Sequence, residues 1–393
     1  MSNVIGPTDA QRQAAVGERV RRLRTSRGVS QEELARRAGQ ASGAISMLEN
    51  GRVPLGIGLV ASIAKALLCS PDYLINVAEE PFATRPWLRA YADASKKTVD
   101  RTIADSTTAV DLIERARIEL LPDTLPRFEG DLNDDDQIEQ FALDVRSATG
   151  LGSRDVVGNV IRSAERLGCV VLPLDDELGR HLGLSLRVNG TPVMRVSRTS
   201  HDPQRAVPGD RQRFTVAHEL GHLTLHHATP PPDTPEQATR VERQAHRFAG
   251  AYLAPADALL EQLDEGGGRV TLRSLADLKG TWGLSIKALV TRFHQLGVIG
   301  DDQSRSLYKQ ISARKWNKVE PVPVGNESAV WLTRAIERQR HGTADAAAAV
   351  ARDVGLDISY VLHWLDWAPT SDTSASAKIM NFAPRRARSL ADS

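Results

Sequence analysis

The chain has 393 residues, enough for two or three domains with cores of their own. Its 41% hydrophobic and 25% charged residues are those of a soluble globular protein. No stretch approaches 18 apolar residues, and the opening MSNVIGPTDA has neither the basic nor the apolar part of a targeting signal, so neither export nor membrane insertion is indicated and a cytoplasmic protein is expected.

The two cysteines, Cys69 and Cys169, lie far apart inside apolar runs (ALLCS and LGCVVL). They read as buried free thiols in a reducing compartment and not as metal ligands. The formal net charge of +1 hides a regional imbalance. Between Glu18 and Arg52, Arg19, Arg21, Arg22, Arg24, Arg27, Arg36, Arg37 and Arg52 outnumber Glu18, Glu32, Glu33 and Glu49, whereas Asp131 to Asp136 is acidic.

Residues 12–78 read as a helical domain. Val16, Val20 and Leu23 set up a first helix that ends at Ser26-Arg27-Gly28. In SQEELARRAGQASGAISMLENG, Ser30 can cap a helix whose Glu33 completes a capping box, and a second helix runs from about Ser42 to Glu49 before Asn50-Gly51. Ala35, Gly39 and Ile45 have the spacing of a helix-turn-helix: a small residue at the crossing, a glycine for the turn and an apolar pin on the second helix. VSQEELARRAG, MLENGRVP and IAKALLCSPDYL resemble the XRE/Cro/C1 repressor family. That resemblance implies a five-helix DNA-binding domain with its second helix in the major groove. Gln31, Gln40, Ala41, Ser42, Gly43 and Ser46 would then face double-stranded DNA, with Arg52 and Arg37 near the backbone. The reading helix carries no Arg or Lys, so specificity per half-site is modest and a homodimer is expected.

Residues 79–137 read as a linker, with a helical stretch from about Leu88 to Leu120 that could serve dimerisation. A peptidase domain is expected over 138–321. It begins with helices at about 138–148 and 153–167, followed by strands around Cys169 to Leu174, Gly183 to Val188 and Thr191 to Val196 in a small antiparallel sheet. VNGTP supplies the turn between the last two strands.

Phe214 to His227 reads FTVAHELGHLTLHH. Residues four apart share a helix face, so His218 and His222 of HELGH can aim imidazole nitrogens at one point about 2 Å from each, as tetrahedral Zn²⁺ requires. Glu219, one step round the helix, can reach a metal-bound water as a general base. A core helix with incidental histidines would instead bury unsatisfied polar groups. The extended HExxHxxGxxH form is excluded by Leu225 and Ala228. A later helix, about Glu236 to Leu253, contains VERQAHRFAGAYLAP and presents Glu242 as the third ligand. His246, one turn on, either supports Glu242 or replaces it.

RQRFTVAHELGHLTLHH followed by VERQAHRFAGAYLAP resembles the ImmA/IrrE family of bacterial zinc metallopeptidases. The resemblance implies His218, His222 and Glu242 as zinc ligands and Glu219 as base. The family usually has Asn where this chain has His246. Leu272 to Val298 reads as two helices and, with ARKWNKVEP, continues the resemblance. Tyr252 and His294 are weaker candidates for transition-state stabilisers.

Residues 322–368 form a further helical module in which Ala351, Gly355 and Val361 repeat the separations of Ala35, Gly39 and Ile45. Its face is not basic, and Trp364 and Trp367 look like packing residues, so an interaction module is favoured over a second DNA reader. Residues 369–393 have the composition of a disordered tail, in which Arg385, Arg386 and Arg388 could attract nucleic acid. The fold expected is mainly α with one α+β domain. The function expected is a DNA-binding regulator whose zinc endopeptidase cleaves a repressor or antitoxin, or itself, in stress response, mobile-element or toxin-antitoxin control. The alternative is a transcription factor whose peptidase-like domain is a non-catalytic sensor or scaffold.

Overall fold

The computed structural model describes residues 9–76, 80–86, 95–174, 182–198, 207–230, 232–342 and 345–367. The expected tail, with its three arginines, lies outside the described residues. The fold is mainly helical with one small sheet.

Five helices open the chain: α1 (Asp9–Ser26), α2 (Gln31–Ala38), α3 (Ser42–Glu49), α4 (Ile57–Ala66) and α5 (Pro71–Ile75). Val16, Val20 and Leu23 bury one stripe of α1 against Leu34, Ile45 and Leu48, which is the amphipathic pattern of the sequence turned into a core. Gly39 ends α2 with φ 64°, the left-handed turn its position requires. Ser30 caps α2 by accepting from the Glu33 amide, but the expected reciprocal bond is replaced: the Glu33 carboxylate takes Arg36 and Arg37 instead.

The connector forms α6 (Lys96–Arg115), shorter than expected from 88–120. The helix stops where Arg117 takes φ 54°, and 87–94 lies outside the described residues. Then come α7 (Asp135–Ala148) and α8 (Val160–Arg166). The latter starts seven residues later than expected because Asn159 caps it, accepting from the Arg162 amide.

Strands β1 (Val170–Leu174), β2 (Gly183–Val188) and β3 (Thr191–Ser197) follow in the order β1-β3-β2. The sheet is mixed and not the expected antiparallel one: β2 and β3 form a hairpin through Asn189 and Gly190, both at positive φ, but β1 runs parallel to β3. Alternation along the strands separates two cores. Val170, Leu172, Leu184, Leu186 and Val193 face a core shared with α1–α6 and the last helices, whereas Val171, Met194 and Val196 face the core that holds the helices following the sheet.

Those helices are α9 (Gly209–Leu225), α10 (Pro235–Leu253), α11 (Ala256–Glu265), α12 (Leu272–Trp282), α13 (Ile286–Gln295) and α14 (Asp301–Ala313). The chain then returns to the first core as α15 (Trp331–Gln339), α16 (Ala346–Val354) and α17 (Ile358–Leu365). Trp364 is buried there, as the sequence suggested. Tyr360 Oη donates to the Leu67 carbonyl (2.8 Å), and the Ser70 amide donates to the Gly355 carbonyl (2.7 Å), so the last helices pack on the first domain.

Helix α6 ties these parts together through two acids. Asp111 accepts from Arg22 (2.7 Å) and from the Tyr73 hydroxyl (2.5 Å), while Asp105 accepts from Arg195 of β3 (2.6 Å) and from the Trp364 indole (3.1 Å). Both cysteines are free thiols; Cys169 is buried and Cys69 half-buried, and burial pushes each thiol up to about 12. No helix among the described residues is long and apolar enough to cross a membrane.

Candidate metal centre

Helix α9 crosses the middle of the second core. Its first turn is fixed by buried charge: Asp210 pairs with Lys279, which also meets Glu320 at 2.9 Å, and Arg213 pairs with Glu327 and donates to the Val157 carbonyl at 2.6 Å. Each ion is compensated, as burial of a charge demands. Downstream, the glycine of HELGH sets the distance to α10. A Cβ at Gly221 would stand 3.0 Å from the Phe248 ring and 3.4 Å from the Ala245 Cα, so a side chain here would push the two helices apart.

That close crossing brings Glu242 to the histidine pair. The Nε2 atoms of His218 and His222 are 3.0 Å apart, Glu242 Oε2 is 3.3 Å from His218 Nε2, and Oε1 is 3.6 Å from His222 Nε2. Donors at zinc distances of about 2.0–2.1 Å from a tetrahedral centre are roughly 3.3 Å from one another, so this triangle has the size a single ion needs. The chemistry of the set, two imidazoles and one carboxylate, also fits zinc. Burial pushes the Glu242 carboxyl up, but hydrogen bonds and charge interactions with His218 and His222 outweigh it and hold the group well below the usual carboxylate range. Burial likewise disfavours the His218 cation, yet Glu242 and Glu219 together raise its pKa above the ordinary value.

Glu219 is 7% exposed and points into the same cleft, a cavity of 840 Å³ also lined by Gly183, Phe214, His218, Glu242 and His246. Its Oε2 accepts from the Ser185 hydroxyl at 2.6 Å. Ser185 lies on β2, an edge strand that closes one wall of the cleft. A Cβ on Gly183 of this strand would stand 2.5 Å from Thr215 Cγ2 and 3.2 Å from Glu219 Cγ, so only glycine lets β2 approach α9 so closely.

His246 stands outside the three-donor group. Its ring meets that of His218 edge to face at 4.7 Å and that of Phe214 at 5.4 Å, and it is exposed in the cleft. Tyr252 is buried and stacked on Phe248, and His294 pairs with Asp301 at 2.8 Å; neither lines the cleft. Sequence reasoning missed Ser185, His226 and Gln244. His226 Nδ1 is 3.1 Å from His222 Nδ1, and its Nε2 is 3.1 Å from Gln244 Oε1. Burial and the neighbouring His222 lower the His226 pKa to about 3, so its ring is neutral. The signal was present in HLTLHH, where His226 follows His222 by one helical turn.

In the first domain, Ala41, Ser42, Gly43 and Arg52 are exposed, and Gln40 and Ser46 are half-buried on the same exposed helix and its approach. Gln31 is half-buried, and its amide donates to Glu49 at 2.7 Å. Glu49, whose carboxylate is fully buried, also binds Arg24 (2.5 and 3.0 Å). Arg19 and Arg22 are buried in pairs with Glu80 and Asp111, and Arg37 pairs with Glu33. Much of the basic excess counted in the sequence is therefore consumed inside the fold.

The family model described as the IrrE N-terminal-like domain, peptidase family M78, matches residues 164–294, which include all of α9 and α10. A helix-turn-helix family model matches residues 20–74. No curated protein and no solved structure matches the chain. With the exposed second helix of the first domain and the His-Glu-His cleft of the second, these matches identify a helix-turn-helix domain of XRE type fused to an ImmA/IrrE-like peptidase-family domain.

Proposed function

We propose that this protein is a DNA-binding transcription regulator whose zinc-dependent endopeptidase domain cleaves a helix-turn-helix repressor or antitoxin, or the chain itself, in stress response, mobile-element or toxin-antitoxin control. The observation that carries the enzymatic part is the convergence of His218, His222 and Glu242 within 4.8 Å of one another beside the buried Glu219. His218, His222 and Glu242 are the ligands in this reading. A zinc ion bound there would polarise a peptide carbonyl and lower the pKa of a water to about 7. Glu219 is the general base: Ser185 holds one carboxylate oxygen, which leaves the other to take the proton of the attacking water and pass it to the departing amine. The β2 edge offers backbone groups to an extended peptide beside that base. In the first domain, Gln40, Ala41, Ser42, Gly43 and Ser46 read DNA in the major groove, Arg52 grips phosphate, and two copies pair to read two half-sites.

The test is metal analysis of the purified protein combined with co-expression of a candidate partner regulator. Zinc at one per chain and cleavage that Glu219→Gln abolishes without loss of metal are the expected results. Regulation unchanged by Glu219→Gln would remove the proteolytic reading. It would favour a second one, in which the cleft is a sensor read out through α6, whose Asp105 and Asp111 join the sheet to the DNA-binding domain.

A further inference from the structure

His222 and His218 contribute the same atom to the centre, but their other ring nitrogens differ. His218 Nδ1 is buried with no hydrogen-bond partner among the described residues, whereas His222 Nδ1 begins a chain of three contacts. The direction of that chain can be read from its far end. The Leu132 carbonyl can only accept, so the Gln244 atom 2.7 Å away from it is the NH₂ group and the amide oxygen faces His226. An amide oxygen also only accepts, so His226 Nε2 carries the hydrogen across 3.1 Å. With that hydrogen on Nε2, His226 Nδ1 is the accepting side of the 3.1 Å Nδ1···Nδ1 contact and His222 Nδ1–H the donating side. His222 Nε2 is then the ring atom free to turn a lone pair on an ion at the point shared with His218 and Glu242.

We infer that His226, oriented by Gln244, is a positioning residue that fixes His222 in its Nδ1–H tautomer and so presents Nε2 to the metal. The inference rests on the reading of His222 as a ligand and deepens it. It assigns the metal centre an outer support drawn from three separate pieces of chain: the end of α9, the middle of α10, and Leu132 in the segment before α7. It also makes the two histidines unequal. His222 is held ready, while His218, lacking such a support, is oriented by Glu242 and by the ion itself.

The experiment measures Zn²⁺ affinity by competition with a chelator, on the full chain, for the wild type, His226→Phe, His226→Gln and Gln244→Leu. His226→Phe keeps a ring but no acceptor, and outer supports of this kind change metal affinity by about 10–100-fold, which is the loss expected. His226→Gln, whose amide oxygen can accept from His222, recovers part of that loss, which a merely space-filling role would not predict. Gln244→Leu, which leaves the His226 ring free to choose either tautomer, shows an intermediate loss. Nitrogen-15 spectra of histidine-labelled, metal-free wild type report the tautomer directly. They are expected to show His222 protonated on Nδ1 and bare on Nε2. A wild type that binds zinc while His226→Phe and Gln244→Leu bind it equally tightly overturns the inference and leaves the metal reading intact. A wild type that binds no zinc takes down both. If His226→Phe does not fold, the wild-type spectrum still decides, because a His222 ring carrying its hydrogen on Nε2 contradicts the chain of donors.

Discussion

The His-Glu-His cleft and the helix-turn-helix domain both gather charged residues, and they do opposite things with them. Around Glu49, the side chains of Arg24 and Gln31 satisfy a fully buried carboxylate from two other helices. In the cleft, His218, His222 and Glu242 from α9 and α10 bring their donor atoms within 4.8 Å of one another, beside Glu219 on the cavity wall. Charge that closes on itself holds a shape, whereas charge that converges on a shared point is arranged for a ligand. The helix-turn-helix domain then presents what is left over: small polar groups on α3 and an exposed Arg52.

The comparison can be broken most sharply at Glu219. Removal of a positioned general base costs about 10²–10⁴-fold in rate, so Glu219→Gln should reduce cleavage of a partner by that factor while zinc content and thermal melting stay constant. Loss of zinc along with activity would mean that Glu219 belongs to the structural kind of charge. The converse test is Glu49→Leu. Breaking a buried ion pair by removal of one partner is worth about 3–5 kcal/mol, so the first domain should unfold at a markedly lower temperature, with zinc binding unaffected. An unchanged melting curve would show that Arg24 and Gln31 do not depend on it.

Ser185→Ala sharpens the picture at smaller scale. A hydrogen bond to a charged acceptor contributes about 1.5–3 kcal/mol, and its loss here should appear in kcat for peptide cleavage and not in zinc affinity. The smallest effect is expected at Arg52. If it grips one phosphate, Arg52→Ala weakens binding to all DNA sequences alike and lowers the slope of log affinity against log salt by about 1. A slope that does not change would remove Arg52 from the interface and point to the remaining exposed arginines.

Much of this was legible before any coordinates. The period of Val16, Val20 and Leu23, the turn glycine Gly39 and the hairpin pair Asn189-Gly190 are local rules, and the helices and strands fell close to where those rules put them. The His218–His222 pair was equally readable, because four residues of helix fix it. The start of α8, the parallel pairing of β1 with β3 and the commitment of Glu33 to Arg36 and Arg37 were not readable. Each depends on which of several adequate partners lies nearest in the folded chain.

The sequence by itself determined the elements whose hydrogen bonds close within a few residues, and with them one edge of the metal triangle. Glu242 was already the third donor expected from the later helix, but tertiary structure alone decided its distance from that edge, that Ser185 reaches Glu219 from a strand 34 residues away, and that Gln244 meets His226 from the neighbouring helix. It also decided that arginines such as Arg19, Arg22 and Arg24 serve the interior and not DNA. The physical reason is range. Backbone dihedrals and i, i+4 contacts are set by neighbours in the chain, but the position of a distant charge depends on how closely two surfaces pack, and here that rests on glycines at 183 and 221 whose importance shows only when the helix and strand beside them are in place.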